Sequence, residues 1–209
     1  MKIARQGYPF VIIPFLIALI SVISGFLFLS IIFIILALFT AYFFRNPQRN
    51  IPQVEGAVVA PADGKVIKID QCFKGKLIKE DLIKISIFMT IFNVHINRIP
   101  ISGKVIDIFY NPGKFFAANV DKSSYLNEQN AVILETKNQK KVLFVQIAGL
   151  IARRIACWVK KGNQVFTGQK FGMIYFGSRV DLYLPLDSII NIQVGQKVKG
   201  GETIVGYVK

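Results

Sequence analysis

Gly162-Asn163-Gln164-Val165-Phe166-Thr167-Gly168 returns as Gly195-Gln196-Lys197-Val198-Lys199-Gly200-Gly201, the same G-x-x-V-x-x-G frame, each copy followed by an apolar run at 171–176 and 203–208. Glycines at this spacing mark tight turns, and the branched and aromatic residues behind them suit strands, so each frame reads as a hairpin. A looser echo stands at Pro61-Ala62-Asp63-Gly64-Lys65-Val66. Outward from the frames the punctuation continues. Residues 58–60, 65–69, 83–90, 103–109, 131–135, 142–148 and 171–176 are rich in Ile, Val and Phe, and Gly, Pro, Asn and Asp separate them. No long segment after residue 52 keeps a helical period, which predicts a mainly β domain, a compact sandwich or barrel hybrid with few helices.

The N-terminus obeys different rules. Between Pro9 and Phe44 there is no charged side chain, and no Asp or Glu occurs before position 50. One helix of this length would run roughly 50 Å, well past a hydrocarbon core of about 30 Å. Ser21, Ser24 and Gly25 supply a break, which predicts helices near 8–24 and 28–44. Lys2 and Arg5 precede the segment and Arg45 and Arg49 follow it, so the positive-inside rule places both ends in the cytoplasm and predicts a hairpin that spans or dips into the bilayer. A secretory signal would be shorter and followed by a small-residue cleavage site. The expected organisation is a membrane hairpin at 1–44, a linker at 45–52 closed off by Pro47 and Pro52, and a β-domain at 53–209.

Lys and Arg number 26 against 12 Asp and Glu, a formal charge of +14. Tethered by a hairpin, such a surface is expected to meet anionic membrane lipid rather than nucleic acid, at roughly 1 kcal/mol per basic side chain. Cys72 and Cys157 show no metal or redox spacing, no nucleotide-binding motif is present, and with one histidine in the chain no metal site is expected.

Three residues invite chemistry. His95, the lone imidazole, stands in Phe92-Asn93-Val94-His95-Ile96-Asn97, where alternation would put Asn93, His95 and Asn97 on one face of a strand. Asp63 suits its turn before Gly64, and a carboxylate there could also orient an imidazole. Ser178 follows Gly177 after an apolar strand but lacks a G-x-S-x-G nucleophile elbow. Where a backbone is strained and a base is near, a Gly-Ser bond allows another reaction, attack of the hydroxyl on the preceding carbonyl, which Gly leaves sterically open.

Taken in order, F-F-R-N-P-Q-R (43–49), A-P-A-D-G-K-V (60–66), F-N-V-H-I-N-R-I-P (92–100), the stretch 113–128, V-Q-I-A-G-L-I-A-R-R-I (145–155) and F-G-S-R-V-D-L-Y-L-P (176–185) resemble the pyruvoyl-dependent phosphatidylserine decarboxylases in their short membrane-anchored form. The resemblance implies a zymogen that cuts itself between Gly177 and Ser178 into chains 1–177 and 178–209, which stay associated, with Ser178 converted to a covalent pyruvoyl cofactor. It implies a lyase that decarboxylates phosphatidylserine to phosphatidylethanolamine through a Schiff base at that group, on the cytoplasmic face of the cell membrane, with room for a homodimer. Asp63 and His95 would assist cleavage, and His95 would return a proton after CO2 leaves. Arg179, Arg98, Arg153 and Arg154 are candidates for the substrate's phosphate or carboxylate, which a guanidinium matches in a bidentate fork. Longer relatives carry a histidine pair and a Leu-Gly-Ser-Thr site, where this chain has His95 with Arg98 and Phe-Gly-Ser-Arg.

The alternative from another class is a non-catalytic, membrane-tethered carrier or adaptor, since hairpins of this kind recur in biotinyl and lipoyl domains. Its modified residue would be Lys122, in Asp121-Lys122-Ser123. A third reading keeps the pyruvoyl chemistry with a different amine substrate.

Overall fold

The computed structural model describes residues 2–72, 77–113, 127–149, 154–175 and 178–209. The chain divides into two units, Met1–Gln48 and Arg49–Lys209, with the boundary inside the proline-bounded stretch 45–52.

In the first unit, α1 (Tyr8–Ile23) and α2 (Leu27–Phe43) form the expected hairpin, turning at Gly25 with φ of 80°. Arg5–Ile23 is long and apolar enough to cross a membrane, and Leu27–Phe43 is shorter. The few hydroxyls bond within the hairpin: Ser21 Oγ to Ile17 O at 2.8 Å, Ser30 Oγ to Leu27 O at 2.7 Å and Thr40 Oγ1 to Phe10 O at 2.8 Å. Each of these three donors is thereby satisfied by a backbone carbonyl in an apolar setting. Large apolar side chains, Ile20, Ile23 and Phe28 among them, point outward and are more than 60% exposed.

The second unit is β throughout its described residues. The strands are β1 (Ala57–Val59), β2 (Gly64–Cys72), β3 (Leu82–Met89), β4 (Ile96–Arg98), β5 (Gly103–Asn111), β6 (Gln129–Glu135), β7 (Lys141–Ala148), β8 (Ile155–Cys157), β9 (Gln164–Val165), β10 (Lys170–Ile174), β11 (Ser178–Pro185), β12 (Ile189–Ile190), β13 (Lys197–Val198) and β14 (Ile204–Tyr207). Eight of them build a sheet in the order β13-β2-β3-β11-β7-β6-β5-β9, with two three-stranded sheets, β1-β14-β12 and β4-β10-β8. The core lies where inward residues of the large sheet, such as Ile85, Ile87, Phe144, Val180 and Leu182, meet Val58 and Phe171 from the small sheets and Ile99 just after β4. Phe144 and Phe171 pack edge to face across this gap at 4.8 Å.

From either edge the large sheet presents a two-residue strand, then two strands consecutive in the chain (β2-β3 or β5-β6), then a central strand, and the hydrogen bonds repeat with this plan. Lys65 pairs with Phe88 as Lys104 pairs with Glu135, and the ladder is irregular between Val66 and Lys68 as it is between Val105 and Asp107. Gly195 N donates to Val66 O and Gly162 N to Val105 O, both at 2.8 Å. The unit is therefore an internal duplication about a pseudo-two-fold axis between β11 and β7. The G-x-x-V-x-x-G frames supply its two edge strands, β9 and β13, and all four of their outer glycines have positive φ, from 76° to 92°. The turn Pro61-Ala62-Asp63-Gly64-Lys65-Val66 has a mate in Pro100-Ile101-Ser102-Gly103-Lys104-Val105, which sequence reading did not single out.

Candidate functional site

Ser178 opens β11, flanked by Met89 on β3 and Ala148 on β7. Pleating turns it to the same face as Val180 and Leu182, into the core, and it is fully buried. Its Oγ has no hydrogen-bond partner among the described residues. Buried hydroxyls nearly always find one, and no described residue supplies it here. Phe176 and Gly177 lie outside the described residues.

His95 is also fully buried, one residue before β4. Its carbonyl accepts from Ile174 N at 3.3 Å, which ties it to the strand leading towards Ser178. Its Nδ1 lies 2.9 Å from the carbonyl oxygen of Asn93. A carbonyl only accepts, so Nδ1 carries the hydrogen, and in the neutral ring Nε2 is the basic nitrogen. Asn97, two residues on, reaches the sheet beside Ser178: its Nδ2 lies 3.8 Å from Met89 Sδ, and its Oδ1 accepts from Gln146 Nε2 at 2.8 Å. Asn130 Nδ2 closes this buried amide chain on Gln146 Oε1 at 2.9 Å.

The expected single polar face of Asn93, His95 and Asn97 is not formed by a strand, because β4 begins only at Ile96. Asn93 belongs to a turn instead. Its Oδ1 accepts from Thr90 N and Thr90 Oγ1, each at 2.8 Å, and its own N donates to Thr90 O at 3.0 Å.

Asp63 immediately precedes β2, and a Cβ at Gly64 would collide with the carbonyl of Phe88, the residue before Met89. Both of its oxygens are engaged by Arg49 Nη2, at 2.9 and 2.7 Å, and Oδ1 also accepts from Gly200 N at 2.8 Å. Its carboxylate is thus directed at the linker, while the imidazole is oriented by Asn93. Glu202 extends the cluster, with Arg49 Nη1 at 3.5 Å and Asn50 N at 3.1 Å. Arg98 lies in the same field and donates to Gly168 O at 2.8 Å. Burial and the neighbouring Arg49 lower its pKa, while Asp63 and Glu202 oppose them.

The four arginines separate by environment. Arg179 points to the face of β11 away from Ser178, is 2% exposed and pairs with Asp181, Nε to Oδ1 at 2.9 Å, with Lys84 completing the group at 3.0 Å. Arg98 belongs to the Asp63 cluster. Arg154 is exposed, and its carbonyl accepts from Tyr175 N at 3.2 Å beside the segment that enters β11. Burial raises the pKa of Tyr175 and the charge of Arg154 works against that rise. Arg153 and Lys122 lie outside the described residues. No group of three or more His, Cys, Asp or Glu able to hold a metal occurs among the described residues.

The two-fold gives a second view of the site. A groove is lined, among others, by Gly56, Ser102, Thr136 and Thr167. Matching register through the repeat, these positions correspond to His95, Asp63, Met89 and Gly200, and Lys140, which closes the turn begun by Thr136, corresponds to Ser178. The mate groove thus has Gly56 and Ser102 at the positions that His95 and Asp63 hold in the other half. Sequence reading missed Arg49, Asn127 and Gln146. Asn127 Nδ2 fixes Ala148 O, opposite Ser178, at 2.7 Å. A signal for Gln146 existed, a polar residue at an inward position of a strand otherwise filled by Val142, Phe144 and Ala148.

Residues 36–206 match the family described as phosphatidylserine decarboxylase. Curated relatives named phosphatidylserine decarboxylase proenzyme include those of Desulfotalea psychrophila, 47% identical over 208 residues covering 100% of this chain and 97% of the relative, and Syntrophus aciditrophicus, 48% identical over 207 residues covering 98% and 96%. A third, from Geobacter metallireducens, is 47% identical over 211 residues, covering 99% and 96%. With motifs, fold and full-length similarity in agreement, the chain belongs to the phosphatidylserine decarboxylase family.

Proposed function

We propose that the chain is a self-processing proenzyme that converts phosphatidylserine to phosphatidylethanolamine and CO2, and that Ser178 is the source of its pyruvoyl cofactor. The observation that carries this reading is the unpartnered, fully buried Oγ at the head of β11. A hydroxyl kept from water and without a bond to any described residue is suited to attack its own backbone.

In the cleavage, Oγ of Ser178 adds to the Gly177 carbonyl carbon and passes its proton to a base, for which Nε2 of His95 is assigned. The C–N bond then breaks, leaving an ester and a free amine on residue 178. Loss of the Ser178 α-proton and of the ester carboxylate frees chain 1–177. The enamine left at residue 178 takes up water and releases ammonia, giving the keto group. Once formed, that α-dicarbonyl supplies the electron sink for decarboxylation. His95 holds the proton to be returned to the substrate carbon, and Arg154 is assigned to the anionic headgroup because it alone of the three described candidates is exposed. Asp63 is assigned a positioning role, holding the Gly64 turn and the 195–201 frame through Arg49 and Gly200.

The apolar hairpin and its flanking Lys2, Arg5, Arg45 and Arg49 support attachment to the cytoplasmic face of a membrane. The test is turnover on detergent-dispersed phosphatidylserine. Wild type should release CO2 and phosphatidylethanolamine, and Ser178→Ala neither. A wild-type protein that is folded, cut and inert on this lipid would reject the substrate, and one that turns it over without being cut would reject the cofactor.

A further inference from the structure

Between β3 and β4 the chain passes from one half of the duplication to the other through residues 90–95, and this crossover is latched at three points. Thr90 N and Oγ1 both donate to Asn93 Oδ1, and Asn93 N donates back to Thr90 O. A side-chain oxygen that receives two donors from the residue three places earlier fixes the turn. With it the direction of the Asn93 carbonyl is fixed, and that carbonyl takes the Nδ1 hydrogen of His95.

We propose that Asn93 is a positioning residue for His95: its side chain locks the 90–93 turn so that its carbonyl holds the imidazole as the tautomer with hydrogen on Nδ1 and the basic nitrogen at Nε2. The inference rests on His95 being the base of self-cleavage, and it assigns the orienting role to a backbone oxygen. Asp63, the expected orienter, is bound on both oxygens by Arg49. In the mate of this position, Gly56, there is no ring to orient. The latch therefore belongs to the site and not to the repeated scaffold.

Because the chain has one histidine, the ring nitrogens can be read directly. Full-length Ser178→Ala protein in detergent, labelled with 15N-histidine, should show at alkaline pH a single neutral tautomer with the hydrogen on Nδ1. Adding Asn93→Asp, which keeps the accepting oxygen, should preserve it, and adding Asn93→Leu should mix in the other tautomer. In cleavable protein, Asn93→Leu should slow the appearance of chain 178–209 by roughly tenfold or more, the scale of lost general-base help, while Asn93→Asp cuts at close to the wild-type rate. Hydrogen on Nε2 in the Ser178→Ala protein would overturn the proposal. So would cleavage of Asn93→Leu at the wild-type rate, or Asn93→Asp being as slow as Asn93→Leu. The spectrum stands by itself if the leucine variant does not fold. A wild-type chain that is never cut would instead reject the self-processing reading, leaving the tautomer result intact.

Discussion

Arg49 and Asp63 form the tightest ion pair of the site region, and their side chains are only 8% and 14% exposed. Removing one member leaves the other charge largely buried, a loss on the order of 3 kcal/mol. In an uncut Ser178→Ala background, Arg49→Gln should lower the unfolding free energy by about that much. The double variant with Asp63→Asn should recover at least about 1 kcal/mol of the summed losses, as measured by denaturant titration. Additive losses would mean the two do not act as a pair. Arg154 and Arg179 should behave in opposite ways. Arg154→Ala should raise KM for the lipid with self-cleavage unchanged, whereas Arg179→Ala strands the buried Asp181 and should reduce the yield of folded protein before any effect on KM can be read. Ser178, His95 and Asp63 were visible in the sequence as residue types in suggestive settings. Their partners were not, because Arg49 is 14 residues from Asp63 and Gly200 is 137 away. Only the folded register brings such groups together.

The G-x-x-V-x-x-G frames identified the two edge hairpins because positive-φ glycines leave a mark that survives without tertiary context. The order of the central strands left no such mark. β11 reads like any other apolar strand, and its place between β3 and β7 follows from long-range pairing that places Val180 and Leu182 inward. The duplication itself was half legible, since Ile101-Ser102 in place of Ala62-Asp63 masks the second P-x-x-G-K-V turn. It predicts equal sensitivity at equivalent positions. A Cβ on Gly172 would collide with the backbone oxygen of Ala156, and one on Gly206 with that of Ile189, both against strand backbone. Gly172→Ala and Gly206→Ala should each cost about 1–3 kcal/mol, read as matched falls in denaturation midpoint. A cost at one site and none at the other would contradict the equivalence.

Across the whole molecule, the proposed scissile bond lies where the chain returns from β10, the last strand of one half, to β11 of the other. Chain 178–209 carries β11, β12, β13 and β14, and these pair with β1, β2, β3 and β7 of chain 1–177. Cutting one connection removes none of these ladders. The two products should therefore co-elute in size exclusion in mild detergent and separate only in denaturant, and early loss of the small chain would contradict this. The amphipathic division of the sequence, an uncharged hairpin ahead of a domain that holds every acidic residue, was fully legible because it depends on composition and not on register.

The fate of Ser178 is read directly by the intact mass of the purified full-length protein, measured beside Ser178→Ala. Wild type should give two chains, the smaller beginning at position 178 and lighter than a serine-ended chain by the difference between an amine-bearing serine and a keto group, that is, by the mass of ammonia, with a single uncut chain from the variant. A folded wild type that remains one chain of 209 residues, or a small chain that keeps an ordinary N-terminal serine, would contradict it.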